Sequence, residues 1–209
     1  MPVAGNPLLA PVVSTYPENQ GKTITPLILA QAAISQKNRL INDVDLEDYA
    51  TASLQQQSAD NGNITATLIL IYNATGGNLT FFANQDWSGH VGQFGYDPLI
   101  QNGQWCYLLH THASGTWAGS VGCCVYRGDD ADFFMGWSDP YGGSSAGNGV
   151  YVESRAQGHW TGVASWDYMY NLVNAAQGTS TDDTPPYVMS GSIGAGATPI
   201  CKFILQRTS

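Results

Sequence analysis

The sequence predicts a mainly β protein, a sandwich of short strands flanked by helices, with a helical segment on its N-terminal side. Three observations carry that prediction. Charged residues are only 11% of the 209-residue chain while Gly numbers 24, a balance suited to many strands and tight turns. From Ile64 onward, β-branched and aromatic runs recur between Gly and Asp turns. Before that point the apolar residues fall at helical spacing. A hydrophobic fraction of 43% over this length supports one compact domain. Within it, residues 1–62 read as an arm and helices packed on a sandwich of residues 63–209.

The elements follow in order. Residues 1–24 carry scattered prolines and read as an extended arm. "TPLILAQAAISQKNRL" reads as a helix from Pro26 to Ile41, with Thr25 as cap and Pro26 in the first turn. Leu27, Ala30, Ile34 and Ile41 fall on one stripe of it. A second helix is expected from Leu46 to about Gln55, capped by Asp45. Strands are then expected at "ITATLILIYN" and "NLTFFANQ", joined by "ATGG" as a hairpin turn. Further strands are expected at "GQWCYLLHTH", "GSVGCCVYR", "DFFMGWS", "GVYVES" and "PICKFILQR". One helix interrupts them: "SWDYMYNLVNAAQG" offers Ser165 as cap and Trp166, Met169, Tyr170 and Val173 along one face.

Charge narrows the partners. A net charge of −9, with no Lys/Arg cluster, opposes nucleic acid and simple electrostatic capture by anionic lipid. Membrane attachment would have to come from aromatic insertion or headgroup recognition. "MPVAGNPLLAPVV" lacks the charged start of a signal peptide, so the protein is expected in the cytoplasm of the producing cell. Cys106, Cys123, Cys124 and Cys201 lack zinc-like spacing and read as free buried thiols.

No constellation for catalysis, metal or cofactor emerges. "SDPYGGSSAGNGVYV" (138–152) offers backbone N–H groups, but it lacks the lysine of a P-loop and runs into a strand, so a plain loop is the favoured reading. His110 and His112 share one side of a strand without a third ligand, and read as core or surface histidines. "DDAD" at 129–132 reads as a solvated turn. The six tryptophans and the tyrosines of the strand half are mostly core fillers, yet such rings also stack on sugars and choline groups.

The order of these features resembles the actinoporins, the pore-forming cytolysins of sea anemones. "YNATGGNLTFFANQDWSGH" is similar to their opening strands, and "NGQWCYLLHTHASGTWAGSVGCCVY" to the next two. "FFMGWSDPYGGSSAGNGVYV" is similar to their Ser-x-Pro strand end, and "SWDYMYNLV" falls at their tyrosine-rich helix. Within that superfamily the chain looks closest to the small jasmonate-induced proteins of land plants, in "GNP", "YNATG", "DWSGHVG", "NGQW", "HTH" and "WDYMYN".

The resemblance implies an actinoporin-like sandwich and a defence role, including insecticidal action. It implies a headgroup or glycan site at Ser88, Val121, Ser138, Pro140, Tyr141, Trp166 and Tyr170. Where actinoporins hold anchoring aromatics this chain has Ser144, Ser145, Ala146 and Gly147. It also implies a membrane-inserting helix carrying Leu27, Ala30, Ile34 and Ile41. From Pro26 to Ile41 that helix would span about 24 Å, short of the roughly 30 Å hydrocarbon core. The expectation is a protein that binds a lipid or glycan receptor on target membranes and assembles there into homo-oligomeric pores. The alternative is a lectin-like module on the same fold without pores.

Overall fold

The computed structural model describes residues 3–41, 44–60, 66–92, 94–112, 119–140, 147–163, 165–196 and 198–209, with the side chains of 40, 41, 57, 58 and 60 outside the description. Strand β1 (Val3–Ala4), a single turn of helix α1 (Ala10–Val13) and a 3-10 turn (Pro17–Asn19) replace the expected extended arm. Helix α2 (Pro26–Ser35) follows, then short strands β2 (Leu40–Ile41) and β3 (Val44–Asp45), then helix α3 (Leu46–Asp60). The next strands are β4 (Ala66–Ala74), β5 (Leu79–Ser88), β6 (His90–Val91), β7 (Leu99–Ile100), β8 (Trp105–Thr111), β9 (Ser120–Arg127), β10 (Ala131–Asp139) and β11 (Gly149–Ala156). Helix α4 (Asp167–Ala175) precedes β12 (Thr179–Thr184), β13 (Tyr187–Ile193) and β14 (Ile200–Arg207).

Helix α2 starts as its sequence predicts and ends sooner. The Thr25 hydroxyl accepts a hydrogen bond from the Ile28 N–H at 3.3 Å, and Pro26 occupies the first turn. The last turn closes at Gln36, whose N–H reaches the Ala32 and Ala33 carbonyls. Leu40 and Ile41 instead pair with Asp45 and Val44, so Ile41 belongs to a strand and not to the helical stripe. Ala30, Ala32 and Ala33 are the buried residues of α2, while Leu27 and Ile34 are half-buried. Small side chains there let the helix approach the sheet closely. Asp45 caps α3 as expected, accepting from the Glu47 N–H at 2.7 Å, and the helix runs on past Gln55 to Asp60. Its Leu46, Ala50 and Leu54 recur every four residues and are buried.

Two sheets form the sandwich. The larger has the order β1-β8-β4-β14-β13-β12, with β6 also paired to β8; the smaller has the order β11-β10-β9-β5-β7. Only the β14–β4 pairing is parallel among these ladders. Between the sheets lie Ile69, Ile71, Leu108, Phe133, Met135, Trp137 and Phe203. The outer face of the larger sheet carries Leu68, Leu70, Tyr72, Trp105, Tyr107 and Leu109, covered by residues of α1, α2 and α3. Strand β4 is therefore buried on both faces along its whole length.

The "ATGG" segment is not a hairpin. Strand β4 pairs with β8 and β14, whereas β5 pairs with β9 and β7, so this segment carries the chain from one sheet to the other. Asn73 pins the crossing, donating to the Gly77 and Ile100 carbonyls at 2.9 and 2.7 Å. Gly76 is obligatory there: its φ is +82°, and a Cβ would lie 2.0 Å from the Pro26 carbonyl oxygen. Strands β12 and β13 were not anticipated by the sequence patterns. Beyond the predicted helices, β1 and β6 divide the outer edge of β8 between them, facing Trp105–Cys106 and His110–Thr111 respectively.

Candidate functional site

Strand pairing brings three of the expected site residues into one row. Ser88 of β5 lies opposite Val121 of β9, and Val121 lies opposite Ser138 of β10. Side chains alternate across a sheet, so residues paired in register share a face. This row lies at the end of the smaller sheet, on the face turned away from the sandwich core. A bulge between Asp86 and Ser88 aims Ser88 there, and its hydroxyl donates to the Gly119 carbonyl at 2.8 Å. Val121 and Ser138 are buried, and Ser88 and Pro140 half-buried. Tyr141 lies outside the described residues, as do Ser144, Ser145 and Ala146.

Helix α4 supplies the rings beside this row. Ser165 accepts from the Asp167 N–H at 3.1 Å, an Asx-like start that replaces a true side-chain cap. Met169 and Val173 turn inward and pack on β10 and β11. Gly136 admits them: a Cβ at that position would sit 2.4 Å from Val173 Cγ2. Gly136→Leu is therefore expected to push α4 outward and destabilise by about 1–3 kcal/mol. Chemical denaturation checks the loss, and tryptophan fluorescence the displaced helix.

Tyr170 lies against Trp87 with ring centroids 5.4 Å apart, which carries the helix to the chain neighbour of Ser88. Trp166 sits elsewhere. It stacks on Trp160 at 5.7 Å and 12°, and over Phe134 at 6.3 Å, four residues down β10 from Ser138. So Ser88, Val121 and Ser138 come together, Tyr170 reaches Trp87 beside them, and Trp166 belongs to a second ring stack on the same face. Tyr168 and Tyr170 are 71% and 38% exposed, so this face presents phenols to solvent. Leu27, Ala30 and Ile34 lie on the opposite side of the molecule, over the larger sheet.

A residue read as part of a solvated turn anchors this face. Asp132 is fully buried and takes a forked pair of hydrogen bonds from Arg127, at 2.7 and 3.0 Å. It also accepts from the N–H groups of Gly158, at 3.0 Å, and Trp160. Arg127 lies 3.8 Å over the Phe82 ring and donates to the Thr161 hydroxyl. The turn holding Trp160 thus hangs from one carboxylate. Asp130 is the half-exposed member of the run, bonded to Arg207 at 2.6 Å and to the Tyr187 hydroxyl. It borders a cleft of about 370 Å³ with Arg155, Thr184 and Pro186, where Arg155 is already paired to Glu153.

Behind the row, on the inward face, is a polar cluster. The His110 Nδ1 lies 2.9 Å from Ser120 Oγ, and the Thr67 hydroxyl 2.7 Å from the same oxygen. Asp139 Oδ2 is 3.5 Å from Thr67, and Asp86 Oδ1 is 3.4 Å from His110 Nε2. Thr67, His110, Ser120 and Asp139 are all buried. Burial pushes the Asp139 carboxyl up to about 6, with the Thr67 hydroxyl offsetting part of the rise. Burial acts on Asp86 in the same sense, but His110, Asn84 and Tyr96 outweigh it and hold that carboxyl below its usual range. Adjacent glycines make room for the imidazole: a Cβ on Gly89 would meet His110 Cε1 at 2.9 Å, and one on Gly122 would meet Nε2 at 3.3 Å.

All four cysteines are free and buried, as their spacing suggested. Burial raises their thiol pKa values, so they behave as apolar core groups. Among the described residues no three His, Cys, Asp or Glu side chains converge to hold a metal ion, and no helix is long and apolar enough to cross a membrane.

Fold and site together define a helix-covered β-sandwich with a ring-bearing outer face at the loop end of its smaller sheet. The family model for Nakanori-like proteins matches residues 5–208. The chain belongs to the Nakanori-like protein family. It is 38% identical over 203 residues to the 23 kDa jasmonate-induced protein of Hordeum vulgare, covering 94% of this chain and 93% of that one. A jasmonate-induced protein homolog of Atriplex canescens is 28% identical over 141 residues, 63% of this chain and 75% of its own. The crystal structure of the lipid binding protein Nakanori matches with a TM-score of 0.89 and 30% identity, over 98% of this chain and 100% of that chain.

Proposed function

We propose that this protein recognises lipid headgroups at membrane surfaces through the Ser88–Val121–Ser138 row and the rings of Tyr170 and Trp87. The observation that carries this reading is the row itself, with two hydroxyls and a phenol beside it on an outward face. Hydroxyls orient a phosphate, and aromatic faces attract a quaternary ammonium. The lipid-binding character of Nakanori, similar over the whole length, supports it. The jasmonate-induced relatives support a role in plant defence.

Sedimentation with vesicles tests this reading. Phosphatidylcholine or sphingomyelin vesicles are expected to capture the protein, and phosphatidylglycerol vesicles to leave it in solution because of its −9 charge. Tyr170→Ala and Trp87→Ala should each weaken capture about tenfold, the loss of one cation–π partner. Failure to bind any phosphocholine vesicle would overturn the proposal. Binding of free sugars on a glycan array, without vesicle binding, would move the same rings to carbohydrate recognition.

Permeabilisation, and insecticidal action through it, extends this reading. Helices α2 and α3 precede the sandwich in the order the actinoporin resemblance requires. With 10 and 15 residues they measure about 15 and 22 Å, so a membrane-crossing segment needs both, fused across β2 and β3. Dye release from the vesicles that bind is the direct readout.

A further inference from the structure

We propose that Asp139, Thr67, Ser120, His110 and Asp86 form a two-state proton chain that clamps the two sheets together at the loop end and loosens the clamp when it loses a proton. The chain crosses between the sheets four times. Thr67 and His110 stand on β4 and β8 of the larger sheet, while Asp139, Ser120 and Asp86 stand on β10, β9 and β5 of the smaller. Ser120 and Asp139 are also the chain neighbours of Val121 and Ser138, and are paired with each other in register. Whatever happens inside the clamp is thus one residue from the outward row.

Counting protons gives the chain a direction, because each hydroxyl has one to donate. With Asp139 protonated, its O–H donates to Thr67, Thr67 to Ser120, and Ser120 to His110 Nδ1. The imidazole then keeps its proton on Nε2, facing Asp86. The first three donors each have an acceptor, while Nε2 has only the Asp86 oxygen at 3.4 Å, a contact without hydrogen-bond geometry. With Asp139 ionised, Thr67 turns its proton toward that carboxylate, Ser120 turns toward Thr67, and His110 must donate from Nδ1. A neutral imidazole would then present a bare Nε2 lone pair to the Asp86 carboxylate. With that proton gone, one end contact fails. The two end contacts, at 3.5 and 3.4 Å, are longer than the inner pair at 2.7 and 2.9 Å.

Few other groups compete for the proton. Cys201 on β14 faces Asp139, while Cys123, Cys124 and Tyr96 face Asp86. Burial raises all four, so none titrates in the acidic to neutral range. A carboxyl raised in the folded state contributes stability that is present below its unfolded value of 3.8 and is lost as pH rises through about 6. Asp86, Glu47, Asp130 and Asp182 are lowered and act in the opposite sense, so the wild-type curve alone mixes the two.

The test is therefore a difference. Thermal midpoints of the wild type and of Asp139→Asn are measured from about pH 4 to about pH 8. The gap is expected to be near zero at the acid end. Above the titration it should grow in favour of Asn to the order of 5 °C. Thr67→Val cuts the chain and removes the hydroxyl that offsets part of the Asp139 rise, so its pH dependence should be steeper than that of the wild type. A gap constant across the range, or a Thr67→Val curve parallel to the wild type, overturns the switch.

Its effect on the outward row rests on the lipid reading. Wild-type capture by phosphatidylcholine vesicles should tighten several-fold on acidification, while Asp139→Asn stays at the acid level throughout. No vesicle binding at any pH, with the thermal difference intact, sinks the lipid reading and leaves the switch standing. Binding that is present and independent of pH removes the coupling between them.

Discussion

Asp132→Ala is expected to lower the unfolding free energy by about 3–5 kcal/mol, the range for breaking a buried, hydrogen-bonded ion pair from one side. The carboxylate is fully buried and answers four donors: two from Arg127 and the backbone N–H groups of Gly158 and Trp160. Its loss leaves a guanidinium whose side chain is 26% exposed, so water recovers part of that charge. It recovers less of the buried Trp160 N–H. The turn at 157–162 then keeps the Gln157 bonds to the Gly128 and Asp130 carbonyls, the Arg127 bond to Thr161 and the register of β11. Urea unfolding measures the energy, and near-ultraviolet circular dichroism the Trp160–Trp166 stack. A loss below about 1 kcal/mol, the range of exposed pairs, would show that Arg127 and Asp132 contribute no more than a surface contact.

Removing residues 1–60 is expected to abolish soluble, cooperatively folded protein. The outer face of the larger sheet would be stripped, exposing Leu68, Leu70, Tyr72, Trp105, Tyr107 and Leu109 side by side. Each such side chain is worth about 1.5–3 kcal/mol when buried, and an apolar patch of this breadth drives association. Polar ties go with it. Tyr72 donates to the Ala33 carbonyl at 2.6 Å, and Asn102 to the Leu8 and Leu29 carbonyls at 3.1 and 3.0 Å. Glu47 holds both Lys37 and Lys202, binding α3 to β14. Expression of residues 61–209 with sedimentation and circular dichroism decides the matter. A monomeric fragment with a sharp unfolding transition would show the helices to be an appendage, free to leave the sheet.

That packing explains what the residues disclosed and what they hid. Seven strands were legible because β-rich runs stood between Gly and Asp turns. Strand β12, "TSTDDT", was not, because it lies at a sheet edge and its side chains are largely exposed. The misread crossing at "ATGG" had a local clue. "ATLILIY" is apolar without alternation, the mark of a strand covered on both faces, whereas β5 is only half covered. Strands in such different surroundings need not be partners.

The site divides in the same way. Ser88, Val121 and Ser138 became legible through family order alone, since a cross-strand row is a property of register that no single segment contains. Asp132 and Asp139 gave no sign of burial. Distant partners meet them, the Gly158 and Trp160 N–H groups for one and Thr67 for the other. Likewise, the α2 stripe looked continuous to Ile41 because apolar spacing persists where the backbone has already turned to pair with Val44.

Strand β14 has a consequence for how the molecule is made. It follows the other strands of its sheet along the sequence, yet it lies between β4 and β13 near the middle of the larger sheet, with Cys201, Phe203 and Leu205 in the core. Until it is synthesised, β4 has an open edge and β12–β13 has nothing to join. Assembly of this sheet therefore waits until β14 is synthesised, and a nascent polypeptide stalled before Ile200 carries an unfilled slot that another strand can occupy.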